Sequence, residues 1–184
     1  HYFDNEQAGL YASLALIGRV VYFVAWMFVM LLLPKVVQLK KEGKDTMPLL
    51  FKYVGYIIVL SSFIVLFTFL FPEFVVQLMF GEQYVSIAPL LWKYALATSI
   101  FAIANIFAYY FLSIDKYVPV IISAILGTTQ IGLIIAFHNS LDQVVMMQII
   151  AMAILLVFQL SYFFYHHKST SKILIFKSLF KIYF

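Results

Sequence analysis

The stretch AGLYASLALIGRVVYFVAWMFVMLLL, Ala8 to Leu33, constrains this chain more than any other: it is apolar or small throughout except for Arg19 near its middle. At about 1.5 Å of rise per residue, roughly 20 such residues cross a bilayer, so the run reads as a transmembrane helix. An arginine at that depth costs about 2.5–3.5 kcal/mol on insertion scales and requires water, a partner or a bound anion. On a helical wheel Arg19 shares its face with Ala8, Ala12, Ala15, Tyr22, Phe23, Trp26 and Met30, and Leu10, Leu14, Ile17, Val21, Phe28 and Leu32 lie opposite. The expectation is that the arginine side faces a protein cavity and the aliphatic side faces lipid. Two readings of the charge stay open: it binds an anion, or it bonds to carbonyls or an acid of a neighbouring helix.

The rest of the chain repeats the pattern. Further apolar runs are read at 49–71, 89–112, 119–137 and 144–165, with Pro48, Pro89 and Pro119 at helix starts and Pro72 at a stop. The whole chain, 1–184, is therefore expected to be a single all-α integral membrane domain of five transmembrane helices. With 65% hydrophobic and 11% charged residues, the apolar excess is hard to bury in one water-soluble core. KVVQLKKEGKDTM after Pro34 is read as a solvated loop, and 72–88 as an interfacial stretch. HNSLDQ carries a capping box at Ser140 and Gln143, and 166–184 is a basic tail, either interfacial or the start of another span. The chain opens at His1 without a signal peptide and is read as a piece of a longer protein.

Charge distribution gives the orientation. The segment after the first span, taken to Lys52, holds five lysines, the turn at Lys116 one and the tail four, so ten of the twelve Lys and Arg share a side. The positive-inside rule then puts the chain's N-terminus outside and its C-terminus in the cytoplasm. Lys93, inside the third span, is expected to snorkel to the outer headgroups or to face a substrate path. Tyr53, Trp92, Tyr117 and Tyr165 are expected to be interface anchors.

Polar residues form stripes within three spans: Tyr94, Thr98, Ala102, Asn105, Ala108 and Tyr109; Ser123, Gly127 and Gln130; Gln148, Gln159, Tyr162 and His166. Each is either interhelical glue or the lining of a polar path, and with Arg19 they point to a shared hydrated cavity. The chain has no cysteine, no His or carboxylate spacing suited to a metal, and neither G-x-S-x-G nor a phosphate-cradling glycine loop. No catalytic residue, metal site, cofactor or nucleic-acid partner is expected, and nothing requires an enzyme.

AGLYASLALIGRVVYF, LLLPKVVQL, FPEFVVQLMFGEQY and APLLWKYALATSIFAIANIFAYYFLSIDKY, in this order, resemble the C-terminal part of the polysaccharide or O-antigen flippases of the multidrug, oligosaccharidyl-lipid and polysaccharide exporter superfamily. The resemblance covers about Ala8 to Tyr117. It implies a two-lobe transporter of a lipid-linked oligosaccharide in a bacterial or archaeal cytoplasmic (inner) membrane, for surface polysaccharide biosynthesis. This chain would be most of the second lobe, completed by a missing N-terminal lobe and surrounded by membrane lipids. Arg19 matches a basic position frequent in that family and is the expected pyrophosphate ligand. Asn105, Gln130 and Tyr109 complete the expected substrate-binding set, Asn105 and Gln130 as sugar contacts on stripe geometry. A drug or cation antiporter of the same superfamily, and a polytopic glycosyltransferase or polymerase subunit, are the alternatives. The first would want intramembrane acids, and the second would want clustered acids, histidines or arginines or a large external loop.

Overall fold

Prolines mark where the helices of this chain begin. In the computed structural model, which describes residues 5–137 and 139–183 and the side chains of 8–137 and 139–167, four of the five prolines stand in the first turn of a helix. There the missing N–H costs nothing, because the first turn has no intrahelical acceptor for it. The elements are α1 (Asn5–Lys41), α2 (Met47–Leu70), α3 (Pro72–Phe80), a 3-10 turn (Glu82–Ile87), α4 (Ala88–Ser113), α5 (Val118–Ala136) and α6 (Leu141–Tyr183). No strand occurs among the described residues. Among the described residues five helices are long and apolar enough to cross a membrane, and the chain is an all-α membrane protein.

Helix α1 is longer than its apolar run suggests. It continues through Pro34 to Lys41, so 35–41 are helix and not loop. One interior proline removes a single backbone bond, and Lys40 and Lys41 in the last turn favour the negative end of the helix dipole. The true turn comes at Gly43, whose φ of 67° suits a residue without Cβ. The turn after α4 uses Asp115 at φ 62°, closed by Lys116 N–H donating to Phe111 O at 2.9 Å. The capping box is present in modified form: Gln143 N–H donates to Ser140 Oγ at 3.2 Å, and Asn139 N–H donates to Gln143 Oε1 at 3.1 Å. The backbone of α6 runs on through the basic tail, whose side chains from 168 onward lie outside the described residues.

Helix α4 is the hub, packing against α1, α2, α3, α5 and α6. Its sequence explains why: Ala88, Ala95, Ala97, Ser99, Ala102, Ala104 and Ala108 are all buried, and small side chains let several helix backbones approach where no hydrophobic drive exists. Two cores result. Leu32, Val36, Leu50, Ile57, Ile106, Phe111 and Phe163 cluster toward the end bearing Lys40 and Lys116. Leu14, Ile17, Val76, Ile87, Leu91 and Val145 cluster toward the other end.

This packing corrects the lipid-facing side of α1. Leu14, Ile17, Val21 and Leu32 are buried, and Phe23, Met27 and Met30 are exposed. The aliphatic stripe meets α4 and its neighbours because a protein interior is filled by whichever side chains match its shape. Hydrophobicity alone does not separate that interior from acyl chains. Tyr53 is likewise a core residue, its ring edge-on to Phe28 at 6.2 Å, whereas Tyr117 and Tyr165 are exposed. The outer surface carries Val59, Phe63, Leu78 and Phe164, an apolar exposure that lipid tolerates and water does not.

Ion pairs tie the helices at both ends. Lys40 Nζ meets Asp115 Oδ2 at 2.6 Å, a bond that holds the exposed Asp115 carboxyl below its usual range, so it persists at neutral pH and is lost on acidification. Lys93 reaches Asp142 of α6, at the end opposite the lysines, and does not line the large cavity described below. Both pairs are partly open to solvent. A double-mutant cycle of Lys93→Met and Asp142→Asn, read by thermal unfolding, is expected to give a coupling of about 0.2–1 kcal/mol.

Candidate binding cavity

Helices α1, α4, α5 and α6 leave a cavity of about 710 Å³ between them. From α1 come Ala15, Gly18, Arg19 and Tyr22; from α4, Tyr94, Ala97, Thr98, Phe101, Asn105, Ala108 and Tyr109. Helix α5 adds Val120, Ser123, Ala124, Leu126, Gly127 and Gln130, and α6 adds Gln148, Ala151, Met152 and Leu155. All four candidates, Arg19, Asn105, Tyr109 and Gln130, line this one space. Of the stripe residues, Ala102 packs into the α1–α2 core instead, and Gln159, Tyr162 and His166 stand away from the cavity.

Among the described residues Arg19 is the one charged residue of the lining, and none of them brings a carboxylate to it. Among the described residues it forms no hydrogen bond or ion pair, and its side is exposed. The alternative that it is tied to an acid or carbonyl of a neighbouring helix is therefore not what the described residues do. Asn105, Gln130 and the Tyr109 hydroxyl also make no hydrogen bond among the described residues, so their donors and acceptors remain for water or a ligand. Two lining hydroxyls are committed. Thr98 Oγ1 donates to Tyr94 O, and Ser123 Oγ donates to Pro119 O at 3.0 Å while accepting from Gln159 Nε2 at 2.9 Å. Gln159 Nε2 also reaches Pro119 O at 2.9 Å, so this stripe residue is glue clasping α6 to α5.

Aromatic rings line the wall next to the charge. Tyr22 stacks on Phe101 at 5.7 Å between centroids and on Trp26 at 6.1 Å; Trp26 in turn meets the Tyr109 edge at 5.1 Å. Sequence reasoning had Tyr22 and Trp26 on the arginine face of α1 but gave them no partner, because ring pairing depends on the register between helices. It missed Phe101. Gly18 brings the helices together: it abuts the Tyr94 ring and Thr98, leaving no room for a larger side chain.

A second, more apolar groove of about 530 Å³ lies on the opposite face of α4, between Ile58, Ser61, Leu66 and Phe69 of α2 and Trp92, Ser99 and Ile103 of α4. Its lining has no charge. Polarity and charge thus concentrate on one side of the hub helix. No family model, curated protein or solved structure matches this chain.

Proposed function

We propose that this chain is most of one lobe of a transporter that moves a lipid-linked oligosaccharide across a bacterial or archaeal cytoplasmic membrane by alternating access, with the lysine-rich end in the cytoplasm. The observation that carries the reading is a guanidinium with no partner among the described residues, lining a cavity whose described lining holds no carboxylate and flanked by amides and aromatic rings. A pyrophosphate is the part of such a cargo that most resists hydrocarbon, since moving an unpaired anion out of water costs tens of kcal/mol by ideal solvation estimates. A fixed guanidinium matches it with up to five donors in a planar fork. The missing acids argue against a cation-coupled drug antiporter, which would hold its cargo or coupling ion on intramembrane carboxylates. The open cavity and helical ends fit rocking of one lobe against another.

Reconstitution tests this reading. In vesicles carrying the full-length protein, a short-chain polyprenyl pyrophosphate bearing one fluorescent hexosamine is expected to reach an external quencher at least about tenfold faster than in protein-free vesicles. That factor corresponds to about 1.4 kcal/mol of barrier. Movement of a cationic dye with no movement of this lipid would remove the proposal.

A further inference from the structure

We infer that Gln148 and the stacked rings of Tyr22 and Phe101 form a sugar subsite beside Arg19, a ring face lying on the aromatic pair and a ring hydroxyl donating to the glutamine oxygen. The inference rests on the transport reading above and adds residues to its site. It starts from an atom without a partner: Gln148 Oε1 is buried and accepts no hydrogen bond among the described residues, although its side chain lines the cavity. Gln159 Oε1 is also unpartnered, but its amide nitrogen is spent on Pro119 and Ser123 and it lies away from the cavity. Gln148 makes no such clasp. Its terminal torsion is broad, so a small rotation presents the oxygen to a donor in the cavity.

Packing sets Gln148 and Arg19 at one level. Gly18, the residue before Arg19, abuts Tyr94 and Thr98, and Val145, one turn before Gln148, shares a core with Tyr94 and Ile17. The Tyr22–Phe101 stack follows one turn further toward the lysine end. A ligand held there meets a cation, a hydroxyl acceptor and an apolar plane within about two helical turns, or roughly 11 Å. An organic cation would also favour the rings, but Arg19 repels it and the lining has no carboxylate to offset that. A hydrocarbon tail would leave Gln148 unpaired. A pyranose has C–H groups on its faces and hydroxyls around its edge, and it satisfies both kinds of wall.

The test compares two probes on the purified full-length protein: a short-chain polyprenyl pyrophosphate with one N-acetylhexosamine, and the same polyprenyl pyrophosphate without sugar. Gln148→Met is expected to weaken the sugar-bearing probe about tenfold more than the sugar-free one, and Tyr22→Leu to show the same selectivity, which Tyr22→Phe does not. The thermal midpoint of unliganded Gln148→Met should not fall, because the substitution removes an unsatisfied buried acceptor; a glutamine that merely held helices together would lower it. Equal weakening of both probes, or none, overturns the subsite while wild-type binding of both keeps the transport reading. Failure of the wild type to bind either probe removes that reading, and the subsite with it.

Discussion

Arg19→Ala in the full-length protein is expected to abolish surface polysaccharide while leaving membrane insertion intact. The arithmetic separates a ligand role from a structural one. A charge-assisted hydrogen bond contributes about 1.5–3 kcal/mol, so loss of the guanidinium weakens an anionic cargo roughly 10- to 150-fold. The same change removes an insertion penalty of about 2.5–3.5 kcal/mol, and no partner among the described residues is orphaned by it. The alanine protein should therefore insert at least as well as wild type and unfold at the same temperature or higher, yet fail in transport. Arg19→Lys keeps the charge without the fork and should fall between the two. Expression in a strain lacking this protein, scored for surface polysaccharide and membrane-fraction protein, reads both quantities. Unchanged polysaccharide in the alanine variant would take the cargo away from Arg19.

Much of this architecture was legible in the residues, and the reason is local. Helix starts at Pro48, Pro89 and Pro119, and the cap at Ser140, depend on a few neighbouring residues, and the structure follows them to within about two residues. The convergence of Arg19, Asn105, Tyr109 and Gln130 on one cavity was also anticipated, because polar side chains in a membrane span gather away from hydrocarbon. What failed was the assignment of the lipid-facing side of α1. Leu14 and Val21 are as apolar as Phe23 and Met27, yet the first two are buried and the others exposed. Only residue size carries that signal, and it was present in α4, whose alanines mark it as the helix that others crowd around. Pro34 misleads because an interior proline forfeits only its own N–H bond, so the helix continues to Lys41. Gln148 and Gln159 share one stripe on a wheel, yet one lines the cavity and the other clasps α5, a difference set by depth along α6.

Gly18→Val is expected to damage the protein more than any other single substitution of its size, and to do so before any cargo is bound. A Cβ at this position collides with the Tyr94 ring and stands 3.2 Å from Thr98 Cγ2. The ring has nowhere cheap to go, since Tyr94 is buried and held edge-on by Tyr11 at 6.0 Å. Helices α1 and α4 must then part, and in a bilayer their attraction is van der Waals contact, which falls steeply with a fraction of an ångström of separation. Overpacking of this kind costs about 1–3 kcal/mol for added methyl groups in a tight core. Because Arg19 and Tyr22 flank the same contact, separation also moves the charge and parts Tyr22 from Phe101 of α4. Thermal unfolding in detergent should order the proteins as wild type, Gly18→Ala, Gly18→Val, with the hexosamine-bearing lipid bound in the same order. Tyr94→Leu removes the colliding ring, so Gly18→Ala combined with Tyr94→Leu should lose less than the sum of the single changes. A valine variant as stable as wild type would show that α1 and α4 do not meet at Gly18, and the cavity would lose the wall that carries its arginine.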